Sequence, residues 1–211
     1  MSIEPIIKVE NIAFERNDQQ LFTPVDLALC AGDALHLQGP NGSGKTTLFQ
    51  LLVGLLQPSQ GFIHYCGQSI EKSRYDYRAN LLYIGHQSAV KSMLTAEENL
   101  RWLSPSKTTP NQISQALQRV GLKSRDHAQC HQLSAGQQRR VALARLITTD
   151  AKLWFLDEPF AALDKQGVEL IETLMQSHLQ QGGAVLFSSH QDLANIGARK
   201  YSMTSAGPFN D

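Results

Sequence analysis

The sequence predicts an α/β fold in which a largely parallel sheet carries helices on its faces and a helical lobe is inserted into the sheet domain. Three observations lead to it. Short apolar runs with strand character alternate with longer amphipathic stretches, the pattern of repeated strand and helix units. A glycine-rich run, Gly39-Pro40-Asn41-Gly42-Ser43-Gly44-Lys45-Thr46, lies between an apolar strand and a helix. Residues 88–149 have helical but little strand character, which sets them apart from the segments on either side.

Strands are expected at 6–12, 33–38, 81–84, 153–156 and 184–188, and helices at 45–55, 111–120, 137–148 and 165–180. The second strand feeds the glycine-rich run and the first helix leaves it. The third ends at Gly85-His86-Gln87, the fourth at a pair of carboxylates, and the fifth at Ser189-His190. The Pro, Ser and Thr residues between 104 and 110 read as a loop. The expected organisation is one domain over 1–211, with a core at about 1–87 and 150–211 and a helical subdomain at about 88–149. Internal repeats, low-complexity tracts and sustained heptads are not found.

A length of 211 residues with 42% apolar content suits a single globular core. The 19 basic and 19 acidic side chains cancel, so no net field draws the chain to nucleic acid or anionic lipid, and no nucleic-acid partner is expected. Cys30, Cys66 and Cys130 are odd in number and widely spaced, which suits neither a disulfide framework nor a zinc site and points to a reducing compartment. The amino terminus lacks a basic segment followed by an apolar one, and no apolar run approaches the roughly 20 residues that cross a bilayer. A role at a membrane would therefore rely on another subunit for the spanning part.

The glycine-rich run fits the phosphate-binding pattern GxxxxGK[ST] in its required strand and helix context. Glycines 39, 42 and 44 let the backbone curl so that successive N–H groups point inward, and the helix beyond adds its positive dipole end. Lys45 is expected to neutralise charge on the β- and γ-phosphates, Thr46 to ligate Mg²⁺, and Thr47 to add a phosphate hydrogen bond. The apolar strand Leu153-Trp154-Phe155-Leu156 delivers Asp157 and Glu158 to a sheet edge. Asp157 is the expected Mg²⁺ holder and Glu158 the general base for an attacking water. Taken alone, that pair also reads as an acidic turn, and Gln87 and His190 as solvated loop residues. Beside a phosphate cradle, a cation holder and a water-orienting group are what phosphoryl transfer requires.

The run Leu133-Ser134-Ala135-Gly136-Gln137, continued by Gln138-Arg139-Arg140, resembles the signature of the ABC transporter nucleotide-binding subunits. Alone, Ser134 reads as the N-cap of an amphipathic helix. The whole set is more restrictive. The phosphate loop, Gln87, the signature, Asp157-Glu158, Ala161-Ala162-Leu163-Asp164 and His190 occur in the family's order with family-like gaps. The resemblance implies a RecA-like P-loop NTPase core with an inserted helical subdomain, ATP and Mg²⁺ as ligands, and ATP hydrolysis as the activity. It implies that Ser134, Ala135, Gly136 and Gln137 face the ATP held by another subunit, which makes a homodimer necessary. It further implies that Gln87 senses Mg²⁺ and the membrane partner, that His190 touches the γ-phosphate and attacking water, and that Asp164 connects the two sites.

Two positions depart from the family pattern. Arg16 stands where an adenine-stacking aromatic is common, with Phe14 two positions earlier, and a guanidinium can also stack on a π-face. Ala135 replaces the commoner glycine and adds one methyl. Residues 82–87, 91–100 and 132–146 resemble the ATPase subunits of the bacterial cytochrome c maturation system. That likeness implies a peripheral protein on the cytoplasmic face of the inner membrane, bound to multispanning subunits, whose hydrolysis drives haem handling or export. The motor of another ABC importer or exporter is the first alternative; a soluble ABC-type switch is the second, against which stands the absence of coiled coils and tandem halves. His86, His127 and His131 lie in polar loops and are expected to be solvated rather than to ligate haem.

Overall fold

The structure is a computed structural model that describes residues 4–191 and 193–206. Its chain forms two compact units, one built from the residues up to 83, 151–157 and those from 178 onward, the other from 84–150 and 158–177. Strands β1 (Ile7–Ala13), β2 (Glu15–Arg16), β3 (Gln19–Gln20), β4 (Val25–Leu29) and β5 (Ala34–Gln38) precede helix α1 (Lys45–Leu52). After it come β6 (Gln60–Tyr65), β7 (Gln68–Ser69), α2 (Arg74–Ala79) and β8 (Leu81–Ile84). Helices α3 (Ala96–Leu103), α4 (Pro110–Arg119), α5 (Ala135–Leu143) and α6 (Arg145–Thr148) lead to β9 (Leu153–Asp157). The order ends with α7 (Lys165–Gln180), β10 (Ala184–Ser188) and β11 (Arg199–Ser202).

The first unit holds a five-stranded sheet in the order β11-β5-β10-β9-β8, and β5, β9, β10 and β11 pair in parallel. Every residue of β9 and β10 is buried, as central strands covered on both faces must be. The parallel sheet expected from the strand and helix alternation is present. A second, four-stranded sheet of order β4-β1-β6-β7 was not legible as strands, apart from β1. It is antiparallel, and β4 shows why a half-solvated strand is harder to recognise: Val25, Leu27 and Leu29 are buried while Asp26 points to solvent. Its inward residues join one core with α1, whose Leu48, Phe49, Leu51 and Leu52 are fully buried. Phe49 lies 6.2 Å from both the Phe155 and the Tyr83 rings. Helix α1 stops at Leu52, short of the expected residue 55, because Gly54 takes the left-handed conformation that ends helices.

The second unit has its own core of Leu100, Ile113, Leu117, Val120, Leu133 and Val141 with their neighbours. Three of its helices start from reciprocal capping boxes: Thr95 with Glu98 at α3, Thr109 with Gln112 at α4, and Ser134 with Gln137 at α5. Each N-cap is worth about 1 kcal/mol. The box explains why α5 begins at Ala135 rather than at the expected 137, since Gln137 is the third helical residue reaching back to its cap. Buried Asn99 accepts from the Lys91 amide at 2.8 Å and donates to the Lys91 carbonyl at 2.9 Å, pinning the segment that precedes α3.

Candidate nucleotide site

Strand β5 ends at Gln38, and the loop from Gly39 turns into α1 through Gly44, the helix N-cap at φ 91°. No side chain caps α1, so its first-turn N–H groups are left for another acceptor. Within the same loop the Ser43 hydroxyl is buried and has no hydrogen-bond partner, while Asn41 and Gly42 are exposed. Lys45 folds over the loop, its Nζ donating to the carbonyls of Gly39 at 2.7 Å and Pro40 at 3.0 Å. An uncapped helix start, an unpaired buried hydroxyl and an ammonium over a glycine loop together fit a polyphosphate.

Asp157 closes β9 with 1% of its surface exposed. The Thr46 hydroxyl donates to its Oδ2 at 2.8 Å, and the Ser188 hydroxyl to its Oδ1 at 2.8 Å. Ser188 lies opposite Asp157 in the parallel register of β10 and β9, so both oxygens of a buried carboxylate are met by neighbouring hydroxyls. Sequence reading missed Ser188; its only signal was the polar end of an otherwise apolar strand. His36, also missed, is buried on β5 and stacks on Phe187 with centroids 4.7 Å apart. Its Nε2–H donates to the carbonyl of Ser189 at 3.0 Å, next to the exposed His190.

The chain passes into the second unit at Glu158, whose φ of 52° is uncommon for a residue with a side chain. Gln87 is exposed and follows Gly85 and His86, whose carbonyls accept from buried Arg139. Ser134 and Ala135 are exposed at the start of α5, with Gly136 and Gln137 half-buried behind them. The Ser134 hydroxyl oxygen accepts from the Gln137 amide at 3.2 Å, which leaves the hydroxyl proton to donate elsewhere. N-capping and anion contact are thus compatible in one side chain. Asp164 accepts from Arg140 at 2.6 Å and from the Gly167 amide at 2.8 Å, so the signature helix and the segment before α7 are tied by an ion pair.

Arg16 is exposed on the β2–β3 hairpin, where it pairs with Gln19, whereas Phe14 packs against the core. Arg16 is therefore the solvent-facing member of the two. His86, His127 and His131 are exposed, and the three cysteines form no disulfide among the described residues, with Cys130 buried. Burial pushes the Cys130 thiol up, and Asn99 Nδ2 donates to its sulfur at 3.2 Å. Among the described residues, no group of three or more His, Cys, Asp or Glu side chains is arranged to hold a metal ion.

Residues 22–161 match the ABC transporter family. The chain is 45% identical over 196 residues to the cytochrome c biogenesis ATP-binding export protein CcmA of Pseudomonas fluorescens, covering 92% of this chain and 93% of that one. It is 47% identical over 189 residues to the protein of the same name in Pseudomonas putida, covering 89% and 90%. In fold it is similar to a dimeric ATP-binding cassette in a post-hydrolysis state bound to ADP and Pi, with a TM-score of 0.79 at 21% identity over 96% of this chain and all of that one. Matched by that family over more than half of its length, and by those relatives over nearly all of it, this chain belongs to the ABC transporter family and, within it, to the group of these ATP-binding proteins.

Proposed function

We propose that the chain is the ATP-hydrolysing motor subunit of a membrane ABC complex that handles or exports haem in c-type cytochrome biogenesis. The chemistry rests on the Thr46–Asp157–Ser188 cluster beside the phosphate loop; the biological role rests on the names of relatives that share nearly the whole chain. Residues 39–44 and Thr47 bind the phosphates through backbone and hydroxyl groups, with Lys45 neutralising their charge. Thr46 and Asp157, with Gln87, suit Mg²⁺, which takes hard oxygen ligands and keeps several waters beside substrate phosphates. When bound, the ion supplies charge neutralisation on the β- and γ-phosphates. Glu158 accepts a proton from water as the water oxygen bonds to the γ-phosphorus and the bond to ADP breaks. His190 orients that water. Arg16 stacks on the base.

Ser134 and residues 135–137 contact the ATP of a second copy, so the working form is a homodimer, with Asp164 linking the sites. No helix among the described residues is long and apolar enough to cross a membrane. In this reading, which rests on the relatives, multispanning partner subunits provide the path, and the chain sits peripherally on the cytoplasmic face of the bacterial inner membrane.

Deleting the gene and staining for haem in periplasmic c-type cytochromes tests the role: the stained bands are expected to disappear and to return with the wild-type chain. Unchanged cytochromes would reject the haem assignment. A Glu158→Gln chain should bind ATP, accumulate as a dimer and fail to restore the bands; normal turnover would reject Glu158 as the base.

A further inference from the structure

Arg139 lies on α5, two residues beyond Gln137, with 4% of its surface exposed. Its Nη1 donates to the carbonyls of Gly85 at 2.7 Å and His86 at 3.3 Å, and its Nη2 donates to the carbonyl of Glu158 at 2.7 Å. All of these groups lie within the second unit. One planar guanidinium thus grips two backbone turns far apart in sequence, the one that leads into Gln87 and the one that follows β9. Its fork geometry is what allows both to be held at once; an ammonium is a point donor on a differently shaped stem.

The grip falls on a backbone that needs restraint. Glu158 at φ 52° occupies a left-handed conformation that a side-chain-bearing residue adopts when its surroundings over-determine it. A hydrogen bond on its carbonyl fixes the peptide plane that follows, and with it the direction in which the Glu158 side chain leaves the turn. A guanidinium is costly to bury for packing alone, and a neutral side chain could not bridge both turns with this number of donors.

We propose that Arg139 is a positioning residue that sets Glu158 for catalysis and couples it to the Gln87 turn, so that a displacement of Gly85 and His86 is passed to the base. This rests on the assignment of Glu158 as the general base. The signature segment then has a second task in its own chain, besides the contact that residues 134–137 make with ATP held by the partner.

The test is a double-mutant cycle on the assembled membrane complex, reading single-turnover ATP hydrolysis, ATP affinity and Tm. Arg139→Met is expected to lower the rate constant about 10- to 100-fold and to leave ATP affinity within about twofold, the pattern of an interaction made for the transition state. Arg139→Lys, which retains the buried charge and can reach one turn, should fall between Met and wild type and carries the test if the Met variant does not fold. In a Glu158→Gln background, Arg139→Lys should have little further effect, because the group it positions is gone. An equal fall in both backgrounds, or weakened ATP binding at an unchanged rate, overturns the proposal. Undiminished hydrolysis in Glu158→Gln alone would instead overturn the assignment of the base on which it rests.

Discussion

The Thr46 hydroxyl and the Asp157 carboxylate meet at 2.8 Å across 111 positions of sequence, joining the first turn of α1 to the end of β9. With Ser188 on the other carboxylate oxygen, the buried Asp157 is held from two sides. Ser188→Ala removes one donor and leaves a buried oxygen without it, which costs about 1–3 kcal/mol. Urea denaturation should show that loss as a lower midpoint at unchanged slope. A midpoint equal to wild type would mean that Ser188 does not support Asp157.

Gly44 gives a sharper test of the phosphate loop. Its φ of 91° is strained for any other residue, and an added Cβ would stand 2.5 Å from Cδ1 of buried Phe22. Gly44→Ala must therefore move the loop or the ring, for a combined cost on the order of 2–4 kcal/mol. Equilibrium binding of a fluorescent ATP analogue should weaken at least tenfold in chains that remain folded. Unchanged affinity would show that the loop tolerates the shift.

Three of the strands that were legible in the sequence share one property: an apolar run with a chemical marker just beyond it. Strand β5 leads to the glycine loop, β9 to Asp157 and Glu158, and β10 to Ser189 and His190, and all were recognisable from one-dimensional pattern. The antiparallel β4 and β6 expose alternate or irregular positions and end at no motif, so their pairing with β1 comes from tertiary packing. Helix α3 could have been found, because Thr95 and Glu98 spell a capping box ahead of it. The site divides in the same way. Lys45, Thr46 and Asp157 declare themselves by motif, whereas Ser188, His36 and Arg139 act through backbone carbonyls or through neighbours that sequence order does not reveal.

His178 carries a pH dependence. Its ring stacks on Trp154 with centroids 3.8 Å apart and donates from Nε2 to the Lys152 carbonyl at 3.1 Å. Burial, only partly offset by its backbone hydrogen bonds, pushes the imidazole down to about 4 from 6.5. The unfolded chain therefore binds the proton more readily than the folded one, so stability is complete above about pH 6.5 and is lost as pH falls toward about 4. Discounted for the ring's partial exposure, the loss is on the order of 1–2 kcal/mol. Thermal melts of wild type and His178→Phe should converge or cross between these limits. Parallel curves would exclude His178 as the source.

His36 sets the final test, because it joins the strand before the phosphate loop to the turn that carries His190. Its Nε2–H donates to Ser189 and its Nδ1 accepts from the Gln38 amide at 3.3 Å, while its face lies against Phe187. His36→Leu keeps an apolar body of similar size but leaves the Ser189 carbonyl without this donor, at a cost of about 1–3 kcal/mol. If the bond holds the His190 turn in place, hydrolysis should slow about tenfold while ATP affinity stays near wild type, the signature of a transition-state effect. His36→Gln, whose amide can still donate, should recover part of the rate. Equal activity in the Leu and Gln variants would mean that His36 serves packing alone.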